Sequence, residues 1–227
     1  MNELKGAWEA IAYGGPMVYP LLALGVIALA IIIDRAVAYG RCLRLPGNLL
    51  ALVETYGFDW KELEKPLAAL GPHNAYARFF KTIADNRAKP VWWVESRAGD
   101  EAGAIEKTLN RGLWILETVV TAAPLLGLLG TITGMMQAFK IIGTSTLVAP
   151  TQVTSGVAEA LIATALGLLI AILSLFGFNF FARTQAQALD NMERLGSRLI
   201  DHIRLDQENG ESENAAAPLA LAREAAR

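Results

Sequence analysis

A chain of 227 residues that is 53% hydrophobic and 19% charged has a composition a soluble domain of its size could approach, but not by concentrating its apolar residues in charge-free blocks. Its formal net charge of −2 leaves no basic surplus with which to hold nucleic acid. Its single cysteine, Cys42, excludes an intrachain disulfide or a thiolate metal cluster and reads as a spectator.

The apolar residues are gathered into blocks. Residues 1–15 form a short mixed segment, with Trp8 and Tyr13 placed where amphipathic rings favour a membrane–water boundary. The block from Pro16 to Ile33 is closed by Asp34-Arg35. Ala36-Val37-Ala38 resembles a small-x-small cleavage site, which would make this block a signal peptide. Against that, Asp34-Arg35 intervenes before the supposed cut, and Lys5 is opposed by Glu3 and Glu9. An uncleaved first transmembrane helix over residues 16–38 is the better reading.

Residues 39–112 are soluble in character. Apolar residues recur at spacings of three and four, punctuated by Pro46, Pro66, Gly71-Pro72 and Pro90, which predicts a small helical domain. With no breaker read between Asp100 and Glu117, its last helix is expected to run straight into the second span.

Residues 118–182 contain two ionisable side chains, Lys140 and Glu159. They read as two spans, 113–140 and 153–182, joined by a polar loop over 141–152. Each span exceeds the roughly 20 residues that cross a bilayer core, and in lipid each must be an α-helix. After Arg183 an amphipathic helix is expected to about Asp206, with Leu189, Met192, Leu199 and Ile203 on one face. The rest, to residue 227, reads as mobile or weakly helical. The loop from Tyr39 to Gly112 carries eleven Lys/Arg and the tail from Arg183 six, against one each for the amino-terminal segment and the 141–152 loop. The positive-inside rule then places loop and tail in the cytoplasm and the amino terminus outside.

Lys140 falls where the second span meets water. Glu159 lies about 9 Å into its helix, at a depth where a carboxylate costs about 2.5 to 3.5 kcal/mol. Taking a carboxylate out of water favours its neutral form, as a proton-exchanging group requires. The competing reading is a structural carboxyl, kept protonated and bonded to a neighbouring hydroxyl. Thr131 and Thr164 are candidate hydroxyl partners, although Thr164 is about 140° round the helix from Glu159 and so faces a different neighbour. Pro124, Gly127 and Gly134 share the face of Thr131. Gly156, Ala163 and Ser174 lie close to Glu159, with Leu166, Ile170 and Gly177. These stripes are pore-lining or helix-packing faces.

The run Ala123-Pro124-Leu125-Leu126-Gly127-Leu128-Leu129-Gly130-Thr131-Ile132-Thr133-Gly134-Met135 resembles the second-span signature of the MotA/TolQ/ExbB proton-channel family. Val157-Ala158-Glu159-Ala160-Leu161-Ile162-Ala163-Thr164-Ala165-Leu166-Gly167-Leu168 resembles the third-span signature of its ExbB/TolQ branch, as does Asn179 near the inner end. The resemblance implies an all-α membrane protein with three transmembrane helices and an external amino terminus. Its long helices would extend into a cytoplasmic domain, and five copies would assemble with their third spans around a pore. It implies that Glu159, Thr131 and Thr164 take the polar pore positions. The implied partner is an ExbD/TolR-type single-span protein with a membrane aspartate. A TonB- or TolA-type protein would act beyond it, at the bacterial inner membrane. One departure is Leu173-Ser174 after Ala171-Ile172, where the family often has a proline.

Two functions of different class follow. One is a proton-driven stator subunit that turns proton flow into work on the cell envelope, in TonB-dependent import or a Tol-Pal role. The other is a non-conducting membrane scaffold locked by a protonated, hydrogen-bonded glutamate. An enzyme is the weakest reading. His73 and His202 lie outside the spans, no nucleophile–base pair or metal-ligand spacing occurs within them, and Glu54, Glu62 and Glu64 read as a solvated helix face. No cofactor is implied.

Overall fold

The computed structural model describes residues 15–44, 60–144 and 150–225, and the side chains of 15–44, 60–140 and 154–208. The expectations for Trp8, Tyr13, Pro46, Glu54 and 145–149 of the 141–152 loop lie outside these residues; 141–144 and 150–152, expected in that loop, are helical instead. Among the described residues six helices follow in order: α1 Val18–Cys42, α2 Trp60–Leu70, α3 Ala75–Asp85, α4 Val91–Leu109, α5 Leu113–Thr144 and α6 Pro150–Ala225. There is no strand among the described residues. Three of these described helices, α1, α5 and α6, are long and apolar enough to cross a membrane. The chain is an all-α, multi-pass membrane protein.

Its contacts divide it into two units. The first holds residues up to Ala36 and Asn110–Arg183, and the second holds Val37–Leu109 and Thr184–Arg227.

In the first unit α1, α5 and the start of α6 pack through small residues. Ala123, Ala138, Ala160 and Ala163 are buried. At four glycines of this seam an added methyl would press on the facing backbone. At Gly127 it would lie 3.0 Å from the Ala163 carbonyl oxygen, and at Gly134 3.0 Å from that of Gly156. At Gly156 it would lie 3.2 Å from the Gly134 carbonyl oxygen, and at Gly167 2.5 Å from that of Ala123. Lipid offers no hydrophobic drive between helices, so this close approach and the dispersion it permits hold α5 to α6. Gly25 and Gly177 do the same for α1, against Ile170 and Ile32.

α1 runs past Asp34-Arg35, whose side chains pair at 2.5 Å, and ends at Cys42 rather than at residue 38.

The second unit is built around aromatic and branched side chains. Phe80, Leu63, Ile83, Ile105, Met192, Leu195, Leu199 and Ile203 are all fully buried. Leu189, expected on that face of α6, is only half-buried, and Leu195 takes the core position instead. α3 starts at Asn74, whose side chain accepts from the Ala77 N–H at 3.1 Å and whose amide donates to the Arg44 carbonyl at 2.7 Å. This N-cap satisfies a donor the first turn would otherwise leave orphaned. Arg78 pairs with Glu101 at 2.6 Å, joining α3 to α4.

Two expectations need correction. α4 does not continue into α5: it stops at Leu109, and Asn110-Arg111-Gly112 form a turn before Leu113. Gly112 has a φ of 83°, in the left-handed region where glycine carries no steric cost. A Gly two residues after Asn110 was the available stop signal. α6 is also longer than its periodicity predicts, running past Asp206 to Ala225.

Candidate functional site

Glu159 sits in the third turn of α6, a helix that begins at Pro150. It is half-buried. Its carboxyl packs against Gly15, at the entry to α1. The carboxyl is therefore covered by the chain's own backbone, not left projecting from the helix.

The two threonines face elsewhere. The Thr164 hydroxyl donates to the Gly127 carbonyl oxygen on α5 at 3.0 Å, a hydrogen bond between the two helices. The 140° offset from Glu159 read along α6 matches this separate neighbour. Thr131 turns back on its own helix and donates to Leu128 at 2.6 Å. Threonine hydroxyls in membrane helices commonly bond the preceding turn in this way. Glu159, Thr131 and Thr164 thus each have a different partner, and no hydrogen bond joins one to another.

The small residues divide likewise. Gly127, Gly134, Gly156 and Ala163 form the α5–α6 seam described above. Ser174 is fully buried, its hydroxyl donating to the Ile170 carbonyl at 2.8 Å. Pro124 lies inside α5 and is half-buried; it removes one rung of that helix's hydrogen-bond ladder.

Residue-by-residue reading passed over Gly130, Gly167 and Gly15. A methyl at Gly130 would lie 2.5 Å from the Ala163 methyl. The spacing of Gly127 and Gly134, and of Gly156, Ala160, Ala163 and Gly167, was the available signal for the seam. Gly15 had none, because its contact with Glu159 joins distant parts of the chain. Among the described residues no three His, Cys, Asp or Glu side chains gather where they could hold a metal ion.

Residues 72–194 match the model of the MotA/TolQ/ExbB proton channel family. The chain is 32% identical over 191 residues to the putative biopolymer transport protein ExbB-like 1 of Synechocystis sp., covering 82% of this chain and 74% of that one. It is 33% identical over 181 residues to ExbB-like 3 of the same organism, covering 74% and 81%. To the biopolymer transport protein ExbB of Aquifex aeolicus it is 42% identical over 91 residues, covering 40% of this chain and 62% of that protein. Glu159 and both threonines lie within the matched segment, and the chain belongs to the MotA/TolQ/ExbB proton channel family, in its ExbB/TolQ branch.

Proposed function

We propose that the chain is a proton-channel or stator subunit of a bacterial inner membrane, coupling the proton motive force to mechanical work on the cell envelope. Its relatives bear the name of biopolymer transport proteins, which supports this reading. The observation that carries it is Glu159, the one ionisable side chain within the third span, set inside the family-matched segment. An ionisable side chain within a membrane span is costly to hold as a charge, which makes it by default a candidate functional group.

The subunit works as a homopentamer around a pore that receives an ExbD/TolR-type single-span protein with a membrane aspartate. It acts with a TonB- or TolA-type protein beyond. Thr131 and Thr164 contribute hydroxyls along the path. The basic residues of 39–112 and of the tail orient these segments to the cytoplasm and the amino terminus outside.

Glu159→Gln in the assembled complex tests this. The expected result is loss of proton-linked activity with assembly retained, and full activity in that variant refutes the reading. The packing of the carboxyl on Gly15 favours a second reading, a scaffold whose glutamate only locks helices. There Glu159→Gln is silent, while Glu159→Leu disturbs assembly.

A further inference from the structure

Gly15 is constrained twice. Its φ is 68°, and its carbonyl accepts from the Val18 N–H at 3.1 Å as α1 begins. The left-handed backbone alone would admit an asparagine at modest cost. The space above its Cα admits nothing. A methyl there would lie 2.8 Å from Glu159 Cγ and would overlap Cδ and Oε1. Three successive atoms of the glutamate side chain thus lie along the open face of this one glycine.

The entry to α1 is itself anchored. Val18 and Leu21 are buried, and the Met17 Cβ lies 3.4 Å from where a methyl at Gly130 would stand, above the Ala163 contact of the α5–α6 seam. The glycine therefore cannot yield by moving away without disturbing these contacts of the α1 entry.

We propose that Gly15 is a positioning residue for Glu159: it holds the first turn of α1 against the carboxyl and confines it to one side of α6. The functional meaning of this rests on Glu159 exchanging protons; the contact does not. The direction in which the carboxyl can reach a proton donor or acceptor is then set by α1, not by the free choice of its own rotamer.

The test uses the full chain in lipid vesicles and the infrared carboxyl band of Glu159, the acid or the carboxylate stretch, assigned by its disappearance in Glu159→Gln. Gly15→Ala is expected to move that band. Glu159→Asp draws the carboxyl back by one methylene, so adding Gly15→Ala to it should leave the aspartate band where Glu159→Asp alone puts it. Gly71→Ala controls for backbone strain, because Gly71 has a φ of 75° and nothing within 4 Å of an added methyl; its band should match that of the unaltered chain. A band indifferent to Gly15→Ala, or moved equally in both backgrounds, overturns the proposal. Should Gly15→Ala fail to assemble, recovery on adding Glu159→Asp supports it, and continued failure overturns it. Activity that survives Glu159→Gln removes the functional reading and leaves the band result standing. An indifferent band removes the positioning role and leaves the function standing.

Discussion

The Tyr39 hydroxyl donates to the Leu109 carbonyl oxygen at 3.2 Å, joining residues 70 apart in the chain. Leu109 is the last residue of α4, and the turn at Asn110–Gly112 leaves its carbonyl without an intrahelical partner. The same phenol oxygen lies 3.3 Å from Gln185 Oε1. One phenol proton cannot serve two acceptors, so the Gln185 amide is better turned over, donating its NH2 to Tyr39. All three groups are buried.

Tyr39→Phe removes the donor and keeps the ring. A buried carbonyl left unsatisfied costs about 1–3 kcal/mol, so the thermal midpoint of the purified chain should fall. Gln185→Leu should add little to that fall, because the two side chains serve one network. An unchanged midpoint in Tyr39→Phe would show that the Leu109 carbonyl finds another partner.

Two glycine-to-alanine changes should act in opposite directions. At Gly167 the new methyl would stand 2.5 Å from the Ala123 carbonyl oxygen and 3.1 Å from the Gly127 Cα. Backbone must move to admit it, and overpacking of this kind costs about 1–3 kcal/mol. Gly99 lies in α4 with open space around an added methyl. There alanine only restricts the unfolded chain and should stabilise by about 0.5–1 kcal/mol. Thermal unfolding of both variants in the same detergent checks the pair of signs.

Much of this was legible in advance because membrane spans are written in composition. Residues 118–182 hold two ionisable side chains, so both spans and the exceptional place of Glu159 could be read without any structure. The helical nature of 60–109 also followed from spacing. The turn before α5 did not, because Asn110 and Gly112 sit inside a run of good helix formers and one glycine alone only weakens a helix. What covers Glu159 was out of reach. Periodicity tells which residues share a face of one helix, whereas Gly15 and Glu159 meet only once two helices are placed side by side.

The two threonines should separate stability from function. Thr164→Val removes an interhelical hydrogen bond, and such bonds in membranes average about 0.6 kcal/mol. A small drop in stability is expected. Thr131 bonds its own helix, so Thr131→Val should leave stability within about 0.5 kcal/mol of the unaltered chain. If Thr131 serves the proton path, proton-linked activity of the complex falls in this variant although the fold does not weaken. Unimpaired activity in Thr131→Val would confine that residue to its helix.

Tyr76 sets an alkaline limit on the second unit. It is 3% exposed, and burial raises its phenol above the usual value of 10.0 by disfavouring the phenolate, while a hydrogen bond with Asn191 acts in the opposite direction. The folded state therefore holds the phenol proton more tightly than the unfolded chain does. That contribution is complete below the unfolded value of about 10 and is lost as pH rises through the higher folded value. Stability measured from about pH 9 upward should fall past about pH 10, and Tyr76→Phe, which has no proton to lose, should flatten that fall. Asn191→Leu removes the one influence that favours the phenolate, so it should move the fall to higher pH. A pH profile that is the same in Tyr76→Phe and the unaltered chain would show that other groups set the alkaline limit.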